Sequence, residues 1–123
     1  MGETVGNELD TLTSHFAPVV ADLTRRCVDV VAAELPEATM KIYAGGWKNV
    51  QFRVGHDILA AVNPLAAYVN VNLGHALELE DPQHVLEGTG KSIRHVKVRP
   101  GEQFPEEPLR DLLRQLRRRY LDD

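Results

Sequence analysis

The sequence predicts an α+β fold, a two-layer sandwich in which an antiparallel sheet of about five strands carries the N- and C-terminal helices on one face. Two observations favour this fold. Apolar residues recur at helical spacing near both ends of the chain, and they alternate with polar residues, with a period of two, in the segments between. The expected order of elements is α-β-β-β-β-(α)-β-α.

The first 14 residues are polar with scattered apolar positions, so we expect a polar N-terminal arm over residues 1–14 and a single domain over residues 15–123. From Phe16 the apolar positions follow helical spacing, which predicts an amphipathic helix that ends near Leu35-Pro36. A second such helix closes the chain. Carboxylates suit its start at Glu106-Glu107, and its apolar stripe consists of Leu109, Leu112, Leu113, Leu116 and Tyr120.

Segments with period-two alternation are predicted as strands: Met40 to Ala44, Lys48 to Val54, Asp57 to Val62, Tyr68 to Leu73 and Ile93 to Arg99. Turn signals separate the first four, at Gly45-Gly46, Gly55-His56 and Asn63-Pro64, so neighbouring strands should pair antiparallel. One face of the sheet should be buried and the other wet. In the second strand the buried set is Val50, Phe52 and Val54, and the wet set is Asn49, Gln51 and Arg53.

Composition excludes several classes of protein. Lys+Arg 14 against Asp+Glu 18 give a formal net charge of -4, whereas duplex-binding domains normally carry a basic excess, so no nucleic-acid partner is expected. The single cysteine, Cys27, excludes a disulfide framework and a zinc site of paired thiolates. With no secretory signal and no apolar run of membrane-spanning length, we expect a cytoplasmic protein without a membrane partner, as a monomer or homodimer.

The run from Leu86 to Val98, which contains Gly88-Thr89-Gly90-Lys91 and Arg94-His95-Val96-Lys97, resembles the YdhG-like family of small bacterial domains of unknown function. The segment Ile42 to Trp47 and the Leu73-Gly74 step add to the resemblance, which extends from about Val28 to Arg118. It implies a frataxin-like α+β sandwich. One relative is described as an intracellular iron chaperone, so the resemblance also implies iron as a ligand.

The acidic ridge that frataxin-type iron binding uses is thin in this chain. Hard oxygen ligands and nearby negative charge hold such an ion. The first helix offers Asp22, Asp29 and Glu34, but Arg25 and Arg26 lie between them, and the first strand adds Lys41.

The loop Gly88 to Lys91 is the first candidate site. Two glycines free the backbone to point N–H groups at an anion, and Lys91 adds positive charge. The side-chain period of a strand places Lys91, His95, Lys97 and Arg99 on one face, with Arg53 on the same wet surface. The alternative is a tight turn followed by an exposed charged strand. The predicted anion site consists of Gly88, Thr89, Gly90, Lys91, His95, Lys97, Arg99 and Arg53.

The second candidate is a metal site of His75, Glu78, His84 and Glu87, whose imidazole and carboxylate groups recur at spacings compatible with a divalent ion. Because Pro82 breaks any single helix that would carry them, the alternative is a polar surface segment. Cys27 lies in the apolar stripe of the first helix and is predicted to be a buried hydrophobe. Tyr43 and Trp47 flank the double glycine and either wall a small pocket or cover the core.

The sequence contains no catalytic constellation, so we do not predict an enzyme. We predict a binding module for a small, anionic ligand or for a protein partner, which would use the wet sheet face and the Gly88 to Lys91 loop. The alternative, by resemblance alone, is a frataxin-like intracellular iron-binding protein, and iron is the only cofactor that this alternative implies.

Overall fold

The computed structural model describes residues 2–121, with the side chains from Asn7 onward. None of the helices within these residues is long and apolar enough to cross a membrane. The helices are α1 (Gly2–Thr13), α2 (Pro18–Glu34) and α3 (Glu106–Tyr120). The strands are β1 (Thr39–Tyr43), β2 (Asn49–Val54), β3 (Asp57–Pro64), β4 (Val69–Leu73), β5 (Leu86–Glu87) and β6 (Arg94–Val98), and a 3-10 turn covers Ala76–Glu78. The predicted α+β sandwich is confirmed.

The strands form one six-stranded sheet in the order β1-β2-β3-β4-β6-β5, and every neighbouring pair is antiparallel. The first four strands form the predicted meander. Strand β5 was not predicted, because two residues are too short to show alternation. Asp81 fixes the chain as it enters β5: its carboxylate accepts the backbone N–H of Val85 at 3.0 Å and of Leu86 at 2.9 Å.

A row of valines across the sheet forms the centre of the core. Val50, Val62, Val71 and Val96 lie opposite one another in register and are all buried. The apolar stripes of α2 and α3 cover this row, and burial of each such aliphatic side chain stabilises the fold by about 1.5–3 kcal/mol. Strand register is therefore fixed by the match between the valine row and the helices.

Carboxylates on and just after α2 pair with three of the arginines of α3. Glu34 accepts hydrogen bonds from Arg110 at 2.9 Å and from Arg114 at 3.2 Å. Glu37 pairs with Arg117 at 2.6 Å, and the hydrogen bond from Arg117 lowers the pKa of Glu37. The hydrogen bond to Glu34 raises the pKa of Arg110. These arginines join the two helices and already have internal counter-charges.

Helix α1 occupies residues for which the sequence predicted a loosely held polar arm. Leu12 is fully buried, and Leu9 and Phe16 pack against the same core. Leu9 and Leu12 are three residues apart on α1, so they lie on one face of the helix, and Phe16 lies in the bend that follows it. The side chain of Arg25 on α2 contacts both Asp10 and Thr13, which ties α1 to α2.

Two predictions at strand ends were wrong. Val54 was assigned to the core, but it is 37% exposed, because the register shifts between Phe52 and Arg53 and the strand ends there. Pro64 was assigned to a turn, but it is the last residue of β3 and pairs with Val69. Proline is tolerated at the end of a strand, because its missing N–H is not needed there for a hydrogen bond to the neighbouring strand. The turn follows Pro64.

We expect Leu12→Ala to lower the free energy of unfolding by about 2–5 kcal/mol, because it leaves a cavity between α1 and the core. Equilibrium urea unfolding followed by circular dichroism measures this loss. Leu77→Ala is the matched control: Leu77 is 61% exposed, and its truncation should change stability by less than about 0.5 kcal/mol. Equal stability of the two variants would contradict the packing of α1.

Candidate functional site

The helices in the described residues pack on one face of the sheet, and polar side chains line the other. We call this second face the open face. Its composition follows from the register, because the residues between the buried valines point away from the core. It contains Lys41, Tyr43, Asn49, Gln51, Arg53, Ala61, Asn63, Asn70, Asn72, His95 and Lys97.

Carboxamides occupy the centre of the open face. The side chain of Asn49 donates a hydrogen bond to Asn63 at 3.0 Å, and that of Gln51 donates to Asn49 at 3.4 Å. Gln51 is only 4% exposed although it points away from the helices. The carboxamides of β2 and β3 therefore pack against one another and form a fixed polar surface. Asn72 on β4 makes no side-chain hydrogen bond within the described residues, so its donor and acceptor are both available.

Three side chains, Lys41, Tyr43 and Arg53, form what we call the cationic corner of the open face. Arg53 donates from Nε to Gln51 at 3.0 Å and from Nη2 to the Tyr43 hydroxyl at 3.2 Å. The Nζ of Lys41 lies 5.3 Å from the centre of the Tyr43 ring. Within the described part of the chain, neither cation forms an ion pair with a carboxylate.

The geometry of the cationic corner leaves donors unused. Arg53 is held through Nε and Nη2, so its Nη1 group has no partner among the described residues. The Tyr43 hydroxyl accepts from Arg53 and keeps its own proton to donate. With the ammonium of Lys41, the corner presents donors from neighbouring strands that an anion would satisfy.

The structure brings together only part of the predicted anion site. His95 and Lys97 lie side by side on β6, where Glu87 Oε1 is 4.0 Å from His95 Nε2 and 3.8 Å from Lys97 Nζ. Lys97 Nζ also lies 4.7 Å from the centre of the Tyr68 ring. Arg53 is on the same face but three strand spacings away, about 14 Å. These groups therefore do not surround one small anion.

The loop Gly88 to Lys91 is exposed, and its glycines meet steric needs of the turn into β6. Gly88 has φ 110°, and a Cβ on Gly90 would lie 2.4 Å from the Ile93 carbonyl oxygen. Since β6 begins at Arg94, the alternation that placed Lys91 on the wet face does not extend to it. Arg99 follows β6, and its Nε lies 3.9 Å from a carboxylate oxygen of Glu102.

The predicted metal residues are also dispersed. Only His75 and Glu78 meet, with 3.4 Å between Nδ1 and a carboxylate oxygen, while Glu87 faces β6 and His84 is exposed. The other ring nitrogen of His75 contacts Asp57 at 2.7 Å, so both nitrogens face carboxylates. No group of three or more His, Cys, Asp or Glu residues that could hold a metal ion occurs among residues 2–121.

His75, Glu78 and Tyr120 join the end of β4 to the end of α3. The rings of His75 and Tyr120 stack with 4.2 Å between centres, and the Tyr120 hydroxyl donates to Glu78 at 2.6 Å. That hydrogen bond is the main cause of a lowered pKa of Glu78 and of a raised pKa of Tyr120. We interpret this cluster as a structural contact.

The structure also shows where Cys27 and Trp47 lie. Cys27 is buried, as predicted, and burial raises its pKa to about 12, so its thiolate is not formed near neutral pH. Trp47 is exposed and meets Tyr43 edge to face with 5.0 Å between ring centres. Trp47 therefore does not cover the core but extends outward beside the cationic corner. The sequence analysis did not predict the cationic corner. The pattern that could have indicated it is the alternation of Lys41 and Tyr43 in the first strand, which places both side chains on the wet face.

A small depression, which we call the notch, lies on the open face beside the end of β4. Ile58 and Ile93 form its apolar walls around a volume of about 140 Å³. The rest of its lining consists of Asn49, Gln51, Ala60, Ala61, Asn72 and Gly74. A Cβ on Gly74 would lie only 2.6 Å from the Ile58 carbonyl oxygen, so close strand contact requires glycine there.

Comparisons of the chain with protein-family models, with curated proteins and with solved structures found no match. The resemblance to the YdhG-like family stays a prediction. The open face is therefore interpreted from its own geometry.

We expect Tyr120→Phe to raise the pKa of Glu78 towards its ordinary value of 4.5, because the hydroxyl that stabilises the carboxylate is removed. Folding lowers the pKa of Glu78, so its ionised carboxylate stabilises the folded protein at pH values above the pKa of the unfolded chain. This stabilisation is lost as the pH falls through the pKa of the folded state. The variant should therefore lose less stability than the wild type on acidification. Carboxyl NMR titration measures the shift, and Tyr68→Phe is the control. An unchanged Glu78 titration in Tyr120→Phe would contradict the contact.

Proposed function

We propose that the protein is a non-enzymatic binding module that binds an anionic group at the cationic corner of its open face. The observation that carries this proposal is that, among the described residues, Lys41 and Arg53 have only neutral partners, whereas the arginines that join α3 to α2 have carboxylates. A cation without a counter-charge, fixed on a rigid strand, is available to an external anion.

The corner is suited to an anion because its donors are held in place before binding. Gln51 and Tyr43 fix the guanidinium of Arg53, so little side-chain entropy is lost on binding. Carboxylates and phosphates share the oxygen geometry that a guanidinium binds. The chain as a whole has a net charge of -4, so the corner is a local positive region on an acidic protein. Such a region selects its partner by charge.

We place no catalytic step in this function. The Cys27 thiol is buried and so is not available as a nucleophile, and both ring nitrogens of His75 contact carboxylates of the protein. We further propose that the protein acts in the cytoplasm, where a single free thiol is ordinary. The iron-binding alternative stays a prediction that rests on the family resemblance.

Titration with inorganic phosphate at low ionic strength, followed by NMR, tests the proposal. We expect the largest shifts at the amides of Lys41, Tyr43 and Arg53 and at the side-chain carboxamide of Gln51. Arg53→Gln should weaken binding about tenfold, the effect of losing one charge-assisted contact. Arg118→Gln is the matched control, because Arg118 is an exposed arginine on α3.

Two results would contradict the proposal. If the shifts concentrate on Gly88 to Lys91, the anion site predicted from the sequence is the correct one. If no resonance of the open face moves, the cationic corner does not bind anions.

A further inference from the structure

We propose that the partner of the open face is an extended acidic polypeptide segment that crosses the strands, with acidic side chains at positions i and i+4 and an apolar side chain at i+2. This inference rests on the proposed function, because the first acidic side chain binds at the cationic corner. It adds the chemical class of the partner and the spacing of the residues that the surface recognises.

The size of the notch favours an anchoring side chain over a small-molecule ligand. Pockets for small molecules usually enclose about 300–1,000 Å³, whereas the notch encloses about 140 Å³. Its walls are the side chains of Ile58 and Ile93, and Ile93 is 59% exposed. One aliphatic side chain, placed between the two isoleucines, would cover this apolar surface, as anchors do in protein interfaces.

The positions of the corner, the notch and β6 match the repeat of an extended chain. Strand β2, which contains Arg53, and strand β6 are three strand spacings apart, about 14 Å. The notch lies between these two strands. An extended peptide rises about 3.3 Å per residue, so residues i and i+4 are about 13 Å apart and i+2 is midway. Side chains at these positions all point to the same side of the peptide.

Charge at both ends of this path favours acidic residues at i and i+4. Lys41 and Arg53 lie at one end, and no carboxylate of the described side chains pairs with either of them. His95 and Lys97 lie at the other end, and their only nearby carboxylate is Glu87, at 4.0 Å and 3.8 Å, within the described residues. These distances are longer than those of a strong charge-assisted hydrogen bond, so His95 and Lys97 can still donate to a carboxylate of the peptide.

The carboxamides between the two ends suit a peptide backbone. In an extended chain the N–H and the C=O of one residue point to the same side, so a carboxamide can accept from the first and donate to the second. Asn72 lines the notch and has both groups available. A peptide that places its i+2 side chain in the notch therefore brings its backbone over Asn72.

Binding of short synthetic peptides tests the inference. The probe is the acetylated and amidated pentapeptide Glu-Ser-Leu-Ser-Glu, and its affinity is measured by calorimetry and by the fluorescence of Trp47, the single tryptophan, which lies against Tyr43. We expect binding that weakens about tenfold when alanine replaces the leucine, because most of the buried apolar surface is lost. Replacement of both glutamates by lysine should abolish binding.

Protein variants separate this inference from the proposed function. Ile93→Ala should reduce binding of the leucine peptide to that of the alanine peptide and leave phosphate binding unchanged. Leu77→Ala, which truncates an equally exposed residue outside the open face, should change neither. Arg53→Gln should weaken the binding of both phosphate and the peptide.

The outcomes are distinguishable. Equal affinity for the leucine and alanine peptides, or equal affinity for the acidic and basic peptides, would overturn the inference. Phosphate binding at the corner without peptide binding would overturn the inference and leave the proposed function standing. Absence of both would overturn both proposals.

Discussion

The two faces of the sheet depend on one constraint, the register that burial imposes on the strands. The helices of the described residues cover one face, so Val50, Val62, Val71 and Val96 must align across β2, β3, β4 and β6. With a side-chain period of two, the same register aligns the residues between them. Gln51, Ala61, Asn72 and His95 form such a row. The composition of the open face is thus set by the packing of the opposite face.

Charge is distributed unequally between the two layers. In the helix layer, Glu34, Glu37 and Glu106 bind arginines, and the pKa values of Glu37 and Glu106 are lowered by hydrogen bonds from those arginines. On the open face, Lys41 and Arg53 bind an aromatic ring and a carboxamide. Exposed ion pairs add little stability, so a fold of this size does not need the corner to be positive. We propose that an external anion binds the cations that have no carboxylate partner within the described residues.

Much of the fold could be predicted from the sequence, because the spacing of apolar residues indicates which side of a helix or strand is buried. Both long helices, the meander and the turn at Gly55 follow from it. Helix α1 was missed because its apolar stripe is sparse, and β5 because two residues carry no period. The site was harder to predict. Alternation placed Arg53 on the wet face, but only the structure shows that β3 and β4 separate it from His95. Whether a cation forms an ion pair depends on tertiary contacts between residues far apart in the sequence, which local patterns do not indicate.

A double-mutant cycle on phosphate affinity, with Lys41→Gln and Arg53→Gln alone and combined, tests the central claim most directly. If both cations contact the same anion at the cationic corner, their effects should be coupled by about 0.5–3 kcal/mol. Each single variant should also remain folded, because both side chains lie on the open face and not in the core. Additive effects with no coupling, or no loss of affinity in either variant, would show that the corner is not one site.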